Sequence, residues 1–165
     1  MFQLKAISAE SIPSALEKAE RYRLINEPWQ AESICYDVLE VDPQNVKAIV
    51  VLLLAITDQF GTSASVDVNT AKNLLLRLPG EYEREYYSGI ISEREGKSIL
   101  SKSTHYGWSA AYEWIRDAMD HYEKAEMLRP ASNDDAILRW NTCARMIMRH
   151  HLKPRDEEYV EPPLE

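Results

Sequence analysis

The sequence predicts an all-α fold of about seven helices. Glycine is scarce, with 5 in 165 residues, and apolar residues recur at spacings of three and four. Apolar–polar alternation, which is typical of a half-buried strand, is nearly absent. The apolar fraction of 45% is high enough for a hydrophobic core. A chain of this length is expected to form one domain.

The first two predicted helices form a hairpin bounded by proline signals. The first helix runs from about Ser11 to Asn26, because Ser11 is a good N-cap and Pro13 suits a first helical turn. The second starts near Pro28 and ends before Pro43, which cannot continue a helix.

The third and fourth helices are separated by the small polar loop GTSASVD. Asn45 is the predicted N-cap of the third helix, and Gly61 ends it. The fourth helix covers about Val68 to Leu78 and stops at Pro79.

Three longer helices complete the predicted domain. The fifth covers about residues 81–101 and is followed by the break SKSTHYG. The sixth covers about residues 108–128. Asn133 or Asp134 caps the seventh, which continues to about residue 151.

We expect residues 1–152 to form a single helical domain. The segment 153–165, KPRDEEYVEPPLE, contains three prolines and five acids with little to bury. It is therefore predicted to be a disordered acidic tail. A succession of helical hairpins joined by short loops indicates a solenoid.

One spacing of small, bulky and proline residues occurs in both the second and the sixth helices. Its members are Ala31, Cys35, Val38 and Pro43 in one helix, and Ala118, Tyr122, Ala125 and Pro130 in the other. This spacing resembles the second half of a tetratricopeptide (TPR) repeat. Tyr22 precedes Ala31 by the interval that the family keeps between its first-helix aromatic and second-helix alanine. Gly89 and Gly96 are a weaker echo of the same repeat.

The TPR resemblance implies a right-handed solenoid that binds peptides or proteins on its concave face. The first helix of each hairpin lines that face, so the third, fifth and seventh helices supply the candidate groove. Its residues are Val50, Val51, Leu54, Tyr86, Tyr87, Ile90, Arg94, Asn141 and Arg145.

The composition of this predicted groove suits an amphipathic helix or an extended apolar peptide, since aliphatic residues stand beside tyrosines. Tyr86 and Tyr87 are neighbours and point about 100° apart on a helix, so we expect one of them in the core. The alternative for the aliphatic residues is an ordinary core position. The alternative for Arg145 is an ion pair with a neighbouring acid.

The charge balance disfavours two classes of partner. The chain has 27 acids and 19 bases, a net charge of −8. Nucleic acids and anionic lipid surfaces are usually bound through a basic face, so neither is expected.

The start MFQLKAISAESIP lacks a secretory signal pattern. Cys35 and Cys143 are expected to be reduced core thiols, which favours a cytoplasmic location.

A metal site is the alternative function. Glu113, Asp117 and His121 are spaced at intervals of four in the sixth helix, so they share one face. Carboxylate and histidine side chains bind metals in some helical bundles. The Glu-x-x-His pairs of di-iron bundles and the known catalytic loops are absent from the sequence. We therefore predict no enzyme, no catalytic residue, no cofactor and no metal, and interpret these residues as a solvated face.

Self-assembly is a third reading of the sequence. Trp108, Trp114 and Met119 supply enough apolar surface to cover the interface of a homodimer.

The principal prediction is an adaptor or assembly factor that captures a segment of a partner protein in its groove and catalyses no reaction.

Overall fold

The computed structural model describes residues 1–62, 67–102 and 108–155. Within these ranges the chain is all-helical, as predicted, and contains no strand. A short 3-10 helix, Ala9–Ser11, is followed by α1 (Ile12–Leu24), α2 (Pro28–Val41), α3 (Val46–Asp58), α4 (Val68–Leu75), α5 (Glu81–Lys102), α6 (Trp108–Leu128) and α7 (Asp135–His150). The predicted tail from residue 156 onward lies outside the described residues, as do parts of the loops GTSASVD and SKSTHYG.

The ends of α3 follow the sequence prediction. The side-chain oxygen of Asn45 accepts a hydrogen bond from the Ala48 N–H at 2.9 Å and so satisfies one free donor of the first turn. Gly61 has a φ of 81°, the left-handed conformation that glycine adopts readily after a helix.

The predicted cap at Ser11 is wrong. Its hydroxyl donates to the carbonyl of Ser8 at 2.8 Å and makes no cap hydrogen bond to α1. The reason is the 3-10 turn that precedes α1, because it leads the chain into the helix with Ser11 already in a helical conformation. At α7 the residue before the helix is Asp134, which makes no side-chain cap. Asn133 instead accepts from the Asp135 N–H at 3.0 Å.

Each helix packs against the next one along the chain, from α1 to α5 and from α5 through α6 to α7. Some contacts skip one helix, since α1 also touches α3 and α3 also touches α5. Short connections between helices favour this antiparallel neighbour packing. The first, third and fifth helices therefore lie side by side.

The buried side chains form two hydrophobic clusters. The first is made by α1 to α4 together with Ile91 of α5, and the second by α5 to α7 together with Leu152. The repeated small and bulky residues of α2 and α6 lie inside these clusters, each no more than 1% exposed. They are Ala31, Cys35, Val38, Ala118, Tyr122 and Ala125.

Two glycines let α5 and α6 approach closely. A Cβ atom at Gly89 would lie 2.4 Å from a ring carbon of Tyr122. One at Gly96 would lie 2.8 Å from Cγ1 of Ile115. Such distances are shorter than van der Waals contact, so the packing requires the absence of a side chain here. The helix α5 continues past Gly96 to Lys102.

One face of α7 packs onto the second cluster. Cys143 is fully buried, and Trp140, Met146 and Ile147 are half-buried against the second cluster. The indole N–H of Trp140 donates to Glu123 at 2.9 Å, so its polar edge is satisfied at the surface of the cluster.

Candidate partner-binding surface

Two half-buried side chains mark the place where the hydrophobic clusters meet. Leu54 of α3 and Tyr87 of α5 each pack against both clusters and still reach solvent. Val50 lies one turn before Leu54 on α3 and is also half-buried. We call Val50, Leu54 and Tyr87 the apolar seam. Apolar side chains that are partly exposed between rigid helices offer a partner both contact area and a fixed shape.

Two of the predicted groove residues belong to the core instead. Val51 is 3% exposed and Ile90 is 1% exposed. Their side chains fill the first and the second cluster respectively. The prediction placed them by spacing alone, and a residue next to a groove position is rotated by about 100° around its helix. We exclude both from the candidate surface.

Three tyrosines of α5 contact one another in a row that includes Tyr87 of the apolar seam. Tyr86 and Tyr87 make an edge-on contact with ring centroids 5.2 Å apart, and Tyr82 stacks on Tyr86 at 5.9 Å. Asn133 donates to the Tyr82 hydroxyl at 3.1 Å. Neither Tyr86 nor Tyr87 is fully buried. Burial raises the pKa of Tyr87 to about 12, with the other tyrosines contributing further.

A shared carboxylate joins three neighbouring helices at one end of the seam. Asp58 of α3 accepts from Arg23 of α1 at 2.7 Å, and its other oxygen accepts from Arg94 of α5. The three side chains are only 16–23% exposed. Arg94, which was predicted to face a partner, is therefore already paired within the chain. Sequence reasoning missed Arg23 and Asp58.

The position of Asp58 in the sequence indicates that it needs a charged partner. It follows Val50 and Leu54 at intervals of four, so all three share one stripe of α3. A single acid on that stripe of an otherwise apolar helix requires a cationic partner from a neighbouring helix.

A second carboxylate, Glu93 of α5, is fully buried. The hydroxyl of Tyr122 donates to it at 2.8 Å, Lys97 pairs with it, and Arg139 of α7 lies at 3.4 Å. Burial and the negative charge of Glu93 together raise the pKa of Tyr122. Desolvation alone would lower the pKa of Arg139, but Glu93 and the neighbouring Tyr86 raise it by more, so Arg139 stays charged.

Sequence reasoning also missed Glu93, although its spacing from two glycines of α5 indicates that it is buried. It lies four residues after Gly89 and three before Gly96, so it occupies the same face of α5 as both glycines. That face packs against α6, as the close approach of both glycines shows. A charged residue between two close-packed glycines is predicted to be buried and paired.

The two predicted residues of α7 do not belong to the apolar seam. Asn141 is half-buried and Arg145 is exposed. Arg145 lines a cleft of about 530 Å³ between the C-terminal halves of α5 and α7, which Lys97 also lines. Arg145 and Lys97 of α5 therefore line the same cleft, and Lys97 is a basic neighbour that sequence reasoning did not include.

The geometry gives no support to the metal alternative. Glu113 is exposed, while Nδ1 of His121 lies 2.7 Å from Glu85 of α5 and its Nε2 lies 3.8 Å from Asp117. Asp117 also accepts from the Ser92 hydroxyl at 2.6 Å. Across the described ranges no group of three or more histidine, cysteine or acidic side chains is arranged to hold a metal ion.

The tryptophan and methionine residues considered for self-assembly mainly make contacts within the chain. Met119 is 3% exposed, and Trp108 is half-buried against the second cluster. Trp114 is half-buried, and the ammonium of Lys72 lies over its ring at 5.5 Å. These three residues do not form a free apolar face.

No family model, curated protein or solved structure matches this chain. None of the described helices combines the length and apolar character needed to cross a membrane. The assignment of a function therefore depends on the geometry of the chain itself.

Proposed function

We propose that this chain is a TPR-like helical-repeat adaptor that captures a segment of a partner protein on the surface formed by α1, α3, α5 and α7. The single observation that carries the proposal is the apolar seam. Leu54 and Tyr87 join both hydrophobic clusters and remain open to solvent. Apolar groups in such a position favour a partner that removes them from water.

The packing order supports a solenoid of helical hairpins as the architecture, and its right-handed form is what the TPR resemblance implies. Contacts between α1 and α3, and between α3 and α5, are those expected when the first helices of successive hairpins lie side by side. The repeated small residues of α2 and α6 are buried, as close helix packing requires. Helix α7 then covers the last hairpin.

The two internal carboxylates support a binding role because they make the surface rigid. Asp58 ties α1, α3 and α5 together, and Glu93 ties α5, α6 and α7 together. A surface that is fixed before binding loses less conformational entropy when a partner docks. The two buried, unpaired cysteines are compatible with work in a reducing compartment, and we propose the cytoplasm.

Selection from a random library of 12-residue peptides displayed on phage tests this proposal. We expect the wild-type chain to enrich a shared apolar or aromatic motif, and synthetic peptides with that motif to bind. Replacing Leu54 by Ser should weaken their binding by roughly tenfold or more, because an anchor of the seam is lost.

The matched control is Leu76→Ser, since Leu76 is 84% exposed and lies at the end of α4. This control should bind the peptides like the wild type, and thermal unfolding should show that both variants are folded. Equal affinity of folded Leu54→Ser and wild type for every selected peptide would disprove binding at the seam.

A further inference from the structure

The C-terminal halves of α5 and α7 enclose a cleft of about 530 Å³ that is unusually basic for this chain. Lys97 contributes from α5, and Arg145, Arg149 and His150 contribute from α7. The chain as a whole has a net charge of −8, so the cleft differs sharply from the average surface. Its volume lies within the range of about 300–1,000 Å³ that is common for ligand sites.

The two arginines of the cleft have no partner among the residues that the structure describes. Lys97 pairs with the buried Glu93, but neither Arg145 nor Arg149 forms an ion pair or a side-chain hydrogen bond within the described ranges. Both side chains are exposed and lie on one face of α7, four residues apart. Two unpaired guanidinium groups at this spacing can each bind one carboxylate in a bidentate manner.

Apolar side chains accompany these charges. Leu100 of α5 and Met146 of α7 line the cleft and are half-buried against the second hydrophobic cluster. The cleft therefore offers an apolar surface beside cationic groups. A ligand that matches it carries negative charge around an apolar side chain.

From this geometry we infer that the α5–α7 cleft binds an acidic peptide segment of a partner protein, with carboxylates on Arg145 and Arg149 and an apolar side chain on Leu100 and Met146. The inference rests on the proposed function and specifies the chemistry of the partner. Charge complementarity between the cleft and such a segment is what selects it.

A short acidic peptide fits better than a nucleic acid. A nucleic acid needs a basic face that extends along its backbone, and the excess of acids elsewhere on this chain repels a long polyanion. Among the described residues that line the cleft there is no phenylalanine, tyrosine or tryptophan ring on which bases could stack. The cleft accepts a few carboxylates at once, as in a peptide with neighbouring glutamates.

Isothermal titration calorimetry with a synthetic probe tests the inference. The probe is a pentapeptide of two glutamates, one leucine and two glutamates, acetylated and amidated so that its ends are neutral. A second peptide with glutamine in place of glutamate is the neutral control. We expect binding of the acidic peptide only, with affinity that falls as salt rises.

The test variant is the double charge reversal Arg145→Glu, Arg149→Glu. The control is Lys5→Glu, Lys124→Glu, which changes the net charge equally at two exposed positions outside the cleft. We expect the test variant to lose at least tenfold in affinity and the control less than threefold. Equal losses in both variants, no binding of the acidic peptide, or equal binding of the glutamine peptide would each overturn the inference.

Two further arms identify the occupant. Ending the chain after residue 155 removes five acids, and unchanged affinity would support a partner segment. A gain of tenfold or more would show that residues 156–165 compete for the cleft, which overturns the assignment to a partner. Tighter binding of a ten-nucleotide single-stranded DNA than of the acidic peptide, with the same dependence on the arginines, would also overturn it.

The phage selection separates failure of this inference from failure of the proposed function. If selected peptides depend on Leu54 but carry no acids and bind the arginine variant normally, the adaptor function stands and the acidic chemistry is wrong. If acidic peptides bind through the arginines and no peptide depends on Leu54, the cleft is a site and the apolar seam is not.

Discussion

At the scale of single residues, Glu93 is the most constrained side chain of this protein. It is fully buried, and the hydroxyl of Tyr122, the ammonium of Lys97 and the guanidinium of Arg139 satisfy it from three directions. A buried carboxylate is tolerated only while its partners remain, because desolvation of an unpaired charge costs several kcal/mol. The same side chain therefore fixes the position of α7 relative to α5 and α6.

Replacing Glu93 by Gln should lower the free energy of unfolding by about 2–4 kcal/mol. The amide keeps the shape of the side chain but removes the charge that Lys97 and Arg139 neutralise. Urea unfolding followed by circular dichroism measures the loss. Glu95→Gln, at a half-buried position of the same helix, is the control and should cost less than about 0.5 kcal/mol. Equal effects of the two substitutions would show that the Glu93 network adds nothing to stability.

At the scale of helices, the contact between α5 and α6 depends on small residues rather than on apolar area alone. Gly89 and Gly96 lie at places where α6 approaches α5 closely, beside Tyr122 and Ile115. Two long helices that approach this closely bury a large continuous surface. Helices α5 and α6 together form the part of the second cluster on which α7 packs.

Gly89→Ala should destabilise the protein even though alanine favours helices. The new methyl group would meet the ring of Tyr122 and push its hydroxyl away from Glu93. Overpacking of this kind costs about 1–3 kcal/mol, against a gain in helix propensity of at most about 1 kcal/mol. A thermal unfolding scan should show a lower Tm than the wild type, whereas Ser88→Ala next to it should change Tm little. A higher Tm for Gly89→Ala would contradict the close approach.

The link between α1, α3 and α5 through Asp58 gives a second prediction at this scale. Asp58→Ala leaves Arg23 and Arg94 facing each other without a carboxylate. We expect a loss of about 1–3 kcal/mol, since the three side chains are mostly buried. Hydrogen exchange should show faster opening of α1 than of α6 in this variant, because α1 loses a tie to both α3 and α5. Uniform acceleration across the chain would argue against a local link.

At the scale of the whole molecule, the two hydrophobic clusters bury both thiols and partly bury the hydroxyl-bearing ring of Tyr87. Burial raises the pKa of Cys35 and of Cys143 from 9.0 to about 12, and that of Tyr87 from 10.0 to about 12. The folded chain therefore keeps protons that the unfolded chain releases at ordinary pKa values. Both clusters contribute, since Cys35 lies in the first and Cys143 in the second.

The free energy of unfolding should fall as the pH rises above about 9. Between pH 9 and 12 the folded state binds more protons than the unfolded state, so each pH unit costs up to about 1.4 kcal/mol per fully shifted group. Below pH 9 both states hold these protons, and the groups add no pH dependence. Urea midpoints measured from pH 7 to 10.5 should show the fall. The double variant Cys35→Ala, Cys143→Ala should have a shallower slope, and an identical slope would exclude the thiols as its source.

The sequence by itself determined the number, order and approximate ends of the helices. Those features follow from local chemistry, such as the side-chain cap at Asn45, the left-handed turn at Gly61 and the proline at position 43. The repeated small residues of α2 and α6 likewise predicted which faces of these helices are buried. Local signals suffice here because caps, left-handed turns and prolines act on the backbone within one turn of the helix end.

Only the tertiary structure decided which residues of neighbouring helices meet. It placed Val51 and Ile90 in the core, paired Arg94 with Asp58, and brought Arg145 beside Lys97. The physical reason is that a rotation of one residue, about 100°, moves a side chain from a groove to the core. That rotation is set by how whole helices pack, at contacts such as Gly89 against Tyr122, and no single helix contains the information to fix it.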